Sequence, residues 1–339
     1  MSATLFMDLP NQFNSPASAA KDDKGNIYFT SPNLHNDILV QAGEAAEAPC
    51  IGRIAPDNTL TTWYRFTEAD MFSGTRKAAP MGLAFGPDGH LYVADLQLWF
   101  DGGEGNSRLL RITVENGEAT GTDVVATGFM FPNGVAWRDD KLYVTETILK
   151  AETGEYTISG LYQFDLAELD PQIPIKIPRY TNNDNRDPHL FDRFVSNGKL
   201  GFGANGIAID DDGNLYIGVM EDGIIVKTVV DDQQNKAGNS IFSQGFIGPD
   251  GFVWDSKRQR FYMADLFMNA VFSIDPGGMV TTLAQNADTG GANGDLDAPS
   301  EVIVRGNELI VMNFDAVFDS DEMVNRSSGK PFTLSAIPL

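Results

Sequence analysis

Asn133, Asn205 and Asp250 hold one position in a recurring motif, and their side chains suit one chemistry. Two amide oxygens and a carboxylate are hard oxygen donors, the set that Ca2+ prefers. Each is followed by Gly, and Asn-Gly and Asp-Gly are also ordinary turn dipeptides, so any one of them taken alone reads as a turn. Their recurrence at one register in three consecutive repeats favours a ring of ligands for one divalent cation, expected to be Ca2+. Glu301 lies one residue past the same position in the last repeat. It is a candidate fourth ligand or pocket carboxylate, although strand alternation could equally turn it sideways into the next sheet. His35 and His189 are candidate proton carriers, against a reading of each as an exposed loop histidine. The third histidine, His90, sits in a hairpin turn and reads as solvated. Met81 and Ser300 share the register of the three candidate ligands and are expected to line the pocket. Trp99 and Phe100 could floor an apolar substrate or pack on their own loop. Asp95, Glu146 and Asp265, at strand ends, read as hydrogen-bonded closing residues rather than catalysts.

A repeat must position these groups. Six copies begin at Ala17, Met81, Asn133, Asn205, Asp250 and Ser300. Each is a short apolar strand, a turn rich in Asp and Gly, and a second strand, which carries Tyr28, Tyr92, Tyr143, Tyr216 and Tyr262 in the first five and Ile310 in the sixth. Each copy reads as a β-hairpin. Their spacings, 64, 52, 72, 45 and 50 residues, are near those of a four-stranded propeller blade with insertions. The expectation is an all-β, six-bladed β-propeller forming a single domain over residues 1–339. A β-sandwich with fortuitous hairpin similarity is the alternative, and sandwiches rarely repeat one hairpin six times. Further strands are expected at 108–114, 123–126, 160–166, 270–275, 279–283 and 331–337. The last blade is then short of an outer strand, which the N-terminal segment 3–9 is expected to supply, hiding two edges. In a blade of this kind the residues opening each first strand face the mouth of a central tunnel, and the Asp-Gly turns lie at the other end. His35, the loops 96–107 and 149–158, and an insertion over roughly 177–200 that contains His189 are expected at the mouth, as pocket walls or a lid.

Composition narrows the partners. Lys and Arg number 24 against 47 Asp and Glu, a formal charge of −23. That balance opposes nucleic-acid binding and docking on anionic lipid. A hydrophobic fraction of 42% supports a sizeable core. One cysteine, Cys50, and three histidines leave no intrachain disulfide and no Cys-rich or His-rich metal site. No apolar run is long enough to span a membrane, and no secretory signal is visible. The expected partner is a small molecule, the expected state a monomer or weak homo-oligomer. The expected location is the cytoplasm, or the periplasm or exterior if a signal has been removed.

The segments Phe131 to Trp137 and Gly248 to Trp254 resemble those of the gluconolactonase, senescence-marker-protein and luciferin-regenerating-enzyme family, to which diisopropylfluorophosphatase is structurally related. The resemblance implies a six-bladed propeller with one Ca2+ or other divalent ion, held in part by Asn, Asn and Asp from successive blades. Those roles fall on Asn133, Asn205 and Asp250. It also implies a first-blade Glu, where this chain has Ala17; Glu301 or water would then complete the site. The function implied is a metal-dependent hydrolase of a lactone or related ester. In it the cation polarises the carbonyl, Asp250 or Glu301 activates water or attacks, and His35 or His189 assists the leaving alkoxide. A non-catalytic ligand-binding propeller is one alternative. A metal-independent lyase or synthase, as in strictosidine-synthase-like proteins, is the other.

Overall fold

Short apolar segments between Asp- and Gly-rich turns fold into antiparallel sheets in a computed structural model that describes residues 2–150, 156–181, 187–198 and 200–339. Each sheet takes four strands, here A to D, in chain order. Blade 1 comprises Ala19–Lys21, Ile27–Ser31, Cys50–Ile54 and Leu60–Arg65. Blade 2 comprises Pro80–Phe85, Leu91–Asp95, Ser107–Glu115 and Glu118–Phe129, and blade 3 Pro132–Arg138, Lys141–Glu146, Tyr156–Asp165 and Leu190–Asn197. Blade 4 comprises Ala204–Ile209, Leu215–Val219, Ile224–Val230 and Lys236–Gln244, and blade 5 Pro249–Asp255, Arg260–Asp265, Ala270–Ile274 and Val280–Gln285. Blade 6 comprises Pro299–Arg305, Glu308–Asn313 and Phe332–Pro338, with the N-terminal Thr4–Leu9 as its fourth strand. This is a six-bladed β-propeller, closed by the N-terminal strand as expected. Two details differ from expectation. Blade 2 gains a fifth strand, Ile175–Lys176, parallel to its strand D. The outer strand of blade 3, Leu190–Asn197, lies within what reads in sequence as an insertion.

Burial falls from the inner to the outer strands. Every residue of strand B is buried in blades 1, 2 and 4, whereas strand D of blades 4 and 5 is largely exposed. A strand covered on both faces favours apolar side chains, and the B strands carry apolar runs such as Ile27–Phe29 and Leu91–Ala94, with buried polar groups such as Ser31 and Asp95 at their ends. Each fully buried Ile, Leu, Val or Phe contributes about 1.5–3 kcal/mol.

The A–B turns account for the repeated tyrosine and much of the acidity. Asp22 accepts hydrogen bonds from the Lys24 and Asn26 N–H groups and from the Tyr28 hydroxyl, at 2.9, 2.8 and 3.1 Å. Asp210 does the same with Asp212, Asn214 and Tyr216, and Asp88 with His90 and Tyr92. Gly25, Gly89 and Gly213 close these turns at φ near 80° (84°, 80° and 78°).

Strand A is bulged near its start. Pairing with strand B shifts by one residue between Pro80 and Leu83, Pro132 and Val135, Ala204 and Ile207, Pro249 and Phe252, and Pro299 and Glu301. In blade 1 the Ala17 N–H donates to Thr30 O while the Thr30 N–H donates to Ser18 O, a distortion at the same place. Bulges re-aim side chains, and these sit at the candidate ligands.

The chain groups into two compact units. One contains Met1–Arg65, Gly223–Val226 and Ile241–Leu339, with blades 1, 5 and 6. The other contains Phe66–Asp222 and Lys227–Ser240, with blades 2 and 3 and most of blade 4. In the first unit Phe13, Phe29, Leu39, Ile310, Met312 and Leu334 belong to one buried cluster, and Val271, Leu296, Val311 and Ile337 to another.

Candidate functional site

In the unit that holds blades 2 and 3, Met81, Asn133 and Asn205 are each the second residue of strand A. The glycine that follows has a packing role. A Cβ on Gly82 would lie 1.9 Å from Asn133 O, and one on Gly134 would lie 2.6 Å from Asn205 O. Neither glycine has a positive φ, and both lie within a strand. The turn-dipeptide reading of Asn133-Gly134 therefore fails: Gly is there so that the backbone of the next blade can approach. Asn205 is buried, and its Nδ2 donates to Met220 Sδ at 3.0 Å, which sets the orientation of its amide. Thr145 Oγ1 donates to Asn205 O and accepts from the Gly134 N–H at 2.7 Å, while Thr147 Oγ1 donates to Ala204 O at 2.8 Å. Two threonines of blade 3 thus fix the start of strand A in blade 4. Asn133 is half-buried.

Aromatic rings gather at the same end of these strands. Trp99 meets Phe131 edge-on at 5.2 Å, and Phe131 meets Phe202 at 6.1 Å. Phe131 is two residues before Asn133, and Phe202 three before Asn205. Trp99 keeps 36% exposure, so the expected apolar wall has a ring on Phe131 and a face open to solvent. Of the loop 149–158, residues 151–155 lie outside the described residues.

The strand-end acids are structural, as expected. Asp95 accepts from the Ala79 N–H at 2.8 Å and from Arg108 Nε at 2.7 Å. Glu146 Oε1 accepts from the Met130 N–H at 2.8 Å and from the Phe131 N–H, while its Oε2 has no partner among the described residues. Burial pushes the Glu146 carboxyl up to about 8, against the pull of those two donors. Asp265, in the other unit, accepts from Ile247, Gly248 and Met268 at 2.9, 3.0 and 2.9 Å.

His189 corrects the sequence reading. It directly precedes strand D of blade 3, and its carbonyl accepts from the Gln163 N–H near the end of strand C. It therefore lies at the opposite end of the sheet from Asn133. Its Nδ1 is 2.7 Å from Asp187 Oδ1, and its ring stacks on Phe164 at 5.1 Å.

In the unit that holds blades 1, 5 and 6, Asp250 is the second residue of strand A and 9% exposed. Ser300, at the same register, is buried and donates through Oγ to Ala17 O at 2.7 Å, with Pro16 O at 3.3 Å. It joins blade 6 to blade 1 and does not present a free hydroxyl. Glu301 is half-buried beside Gly251: a Cβ on that glycine would lie 2.4–2.5 Å from the carboxylate atoms. Its Oε2 accepts from the Ser18 hydroxyl at 3.1 Å and its Oε1 from the Val302 N–H at 2.9 Å. Burial pushes this carboxyl up to about 8, against both donors. The structure thus places Glu301 against blade 5 on one side and Ser18 of blade 1 on the other.

His35 is neither exposed nor in a plain loop. It precedes a short helix, Asn36–Gln41, is 8% exposed, donates through Nε2 to Phe314 O at 3.0 Å and stacks on Phe332. Burial holds its pKa down, against the Phe314 hydrogen bond and Asp37. Three buried groups in this unit have no counterpart in the sequence reading: Asp297, Asp315 and Asn325. They flank the blade 6 hairpin and sit in the segment after it, and no local motif marks them.

Among the described residues no three His, Cys, Asp or Glu side chains converge as a metal-binding group. A set of two amides and one carboxylate falls outside that class. A pocket lined by Arg258, Arg260, Tyr262, Leu283 and Leu339 borders the start of strand B in blade 5, the end remote from Asp250.

No protein-family model matches the chain, and no curated protein matches it. Solved structures do. The luciferin-regenerating enzyme is 12% identical, with a TM-score of 0.60 and coverage of 99% of this chain and 95% of that one. Regucalcin, a calcium-binding protein from Agrobacterium tumefaciens, is 12% identical, with a TM-score of 0.57 and coverage of 99% and 93%. A gluconolactonase from Xanthomonas campestris is 12% identical, with a TM-score of 0.55 and coverage of 100% and 95%. Dehydrogenases also share the fold. Over nearly its whole length, then, the chain has the propeller fold of the lactonase, luciferin-regenerating and regucalcin structures that its sequence resembles.

Proposed function

We propose that the chain is a hydrolase of a lactone or related ester that uses a hard divalent cation, Ca2+ by preference. The carrying observation is the register: Asn133, Asn205 and Asp250 each follow the first residue of a bulged strand A. The donors fit such an ion, because all are oxygens, one is charged, and the Asn205 amide is fixed by Met220. Bound there, the cation supplies carbonyl polarisation and a place for developing oxyanion charge. Asp250 is the carboxylate that takes a proton from water or attacks. Glu301, whose two oxygens already accept from Ser18 and Val302, serves as a pocket wall that holds a proton near neutral pH, in place of either histidine. Trp99 with Phe131 offers an apolar face to the substrate.

Lactone turnover by chelated and Ca2+-restored protein, beside Asn133→Ala, Asn205→Ala and Asp250→Ala, tests this reading. Loss of about a hundredfold or more on chelation and in Asp250→Ala is expected. Undiminished turnover in either sinks it.

A second reading, a non-catalytic binder of small molecules, is favoured by Ala17, which supplies no donor at the first-blade position, and by the full engagement of Ser300. Fold alone does not choose between the two. Tight ligand binding with no turnover of lactones or phosphoesters would select it.

A further inference from the structure

We propose that Asp297, Asp315 and Asn325 form a second hard-cation site, for Ca2+, that fastens the long segment between strands B and C of blade 6. The three belong to one unit and converge from different stretches of chain. Asp297 stands two residues before strand A and Asp315 two residues after strand B. Asn325 lies within the segment 314–331 that leads to strand C. The two aspartates are held side by side through the backbone: the Asp315 N–H donates to Asp297 O at 3.1 Å, and the Asp297 N–H to Asn313 Oδ1 at 3.1 Å. Asn325 Nδ2 donates to Asp297 Oδ1, which brings the amide against the carboxylate. The Gly329 N–H donates to Asp315 Oδ2 at 2.8 Å.

These groups are deeply buried, at 1%, 3% and 0% exposure for Asp297, Asp315 and Asn325. Two of their oxygens, Asp315 Oδ1 and Asn325 Oδ1, have no hydrogen-bond partner among the described residues. Buried polar atoms are normally satisfied, and buried charges are paired or coordinate a metal. Among the described residues no basic side chain meets that need. His35 Nε2 is 4.0 Å from Asp315 Oδ2, but it donates to Phe314 O, and burial disfavours its charge. Arg326 turns its guanidinium to Ser320 O and Asp321 O, and Lys330 pairs with Glu44. Asp288 adds further negative charge near Asp297. A cation supplies the missing positive charge and the missing partners together. Two carboxylates with an amide oxygen, in irregular loop geometry, suit Ca2+ and not a softer metal. Their third donor is an amide, so the set differs from a cluster of three acids or histidines.

The ion's structural work would be to pin the segment 314–331, which is also held by contacts that include the Val324 N–H on Phe267 O, the Phe318–Phe267 stack, the Arg326 N–H on Asp288 and the Lys330–Glu44 pair. The site is independent of Asn133, Asn205 and Asp250, and the experiment separates the two. Full-length protein is stripped with chelator and titrated with CaCl2, reading the thermal midpoint, the binding isotherm and protease cleavage within 314–331. Wild type, Asp250→Asn, Asp315→Asn and the Asp297→Asn/Asp315→Asn double variant are compared, the last two also in the Asp250→Asn background. The expected result is a Ca2+-dependent rise in midpoint and protection of the segment, kept in Asp250→Asn and lost when the double variant is placed in the Asp250→Asn background. The stripped double variant is expected to be at least as stable as stripped wild type. If the double variant does not fold, Asp315→Asn alone is expected to weaken Ca2+ binding at least tenfold in the Asp250→Asn background. In the Asp250→Asn background, a rise retained without the two carboxylates, no rise with them present, or stabilisation by acid but not by Ca2+ overturns the proposal.

Discussion

Glu146→Gln isolates the cost of a buried, unpaired carboxyl. Glutamine keeps the acceptor that Oε1 offers to the Met130 and Phe131 N–H groups and removes the ionisation. The folded pKa is about 8 against a reference of 4.5, so the unfolded chain ionises first as pH rises. Below 4.5 both states are protonated and the acid costs nothing. Between the two values wild type loses up to about 1.4 kcal/mol per pH unit, and above the folded value the loss levels off. Relative to Glu146→Gln, wild type should therefore lose about 3 kcal/mol between about pH 5 and about pH 8. Denaturant unfolding followed by both tryptophan fluorescence and circular dichroism, across that range, measures the gap, with coincident transitions licensing the comparison. A gap that stays constant with pH refutes the reasoning, because it would mean that the two N–H donors hold the carboxylate ionised at no cost.

Gly82→Ala should destabilise by about 1–3 kcal/mol, because its Cβ meets a backbone carbonyl that cannot move aside, whereas Gly121→Ala, which meets nothing, should stay within about 0.5 kcal/mol of wild type; equal midpoints would disprove the packing argument. The Cys50 thiol is fully buried, donates to Gln12 O and is pushed up to about 12, so a thiol-specific disulfide reagent should leave native protein unlabelled and label it fully in denaturant. His189→Ala should leave lactone turnover within about twofold while lowering stability by about 0.5–1.5 kcal/mol, and a large loss of turnover without a stability change would return this histidine to the mechanism.

The hairpins were legible because their signals are local. Asp22, Asp88 and Asp210 satisfy backbone donors within a few residues, and the repeated tyrosine lands on the same aspartate. The closing strand was legible because the last repeat lacked an outer strand. The Asn-Gly pairs misled in isolation: the glycine answers a carbonyl from a neighbouring blade some 50–70 residues away in sequence, as Gly82 answers Asn133 and Gly134 answers Asn205. His189 went to the wrong end because Leu190–Asn197 is a strand whose pattern is too polar and interrupted to stand out. The burial of His35 depends on Phe314 and Phe332, nearly three hundred residues on, so no local signal marks it. Asp297, Asp315 and Asn325 meet only after the blade 6 hairpin folds, so no spacing rule marks them.

The pairing of Thr4–Leu9 with Phe332–Pro338 also orders events in time. Thr4–Leu9 is made about three hundred residues before the strand it pairs with, Phe332–Pro338. At about 5–20 residues per second that wait is roughly tens of seconds. Throughout it Thr4–Leu9 carries unpaired N–H and C=O groups. Sequence-distant pairing of this kind slows folding and exposes edges that other chains can join. Translation rate and chaperone supply should therefore govern the yield of this protein more than the stability of its finished sheets.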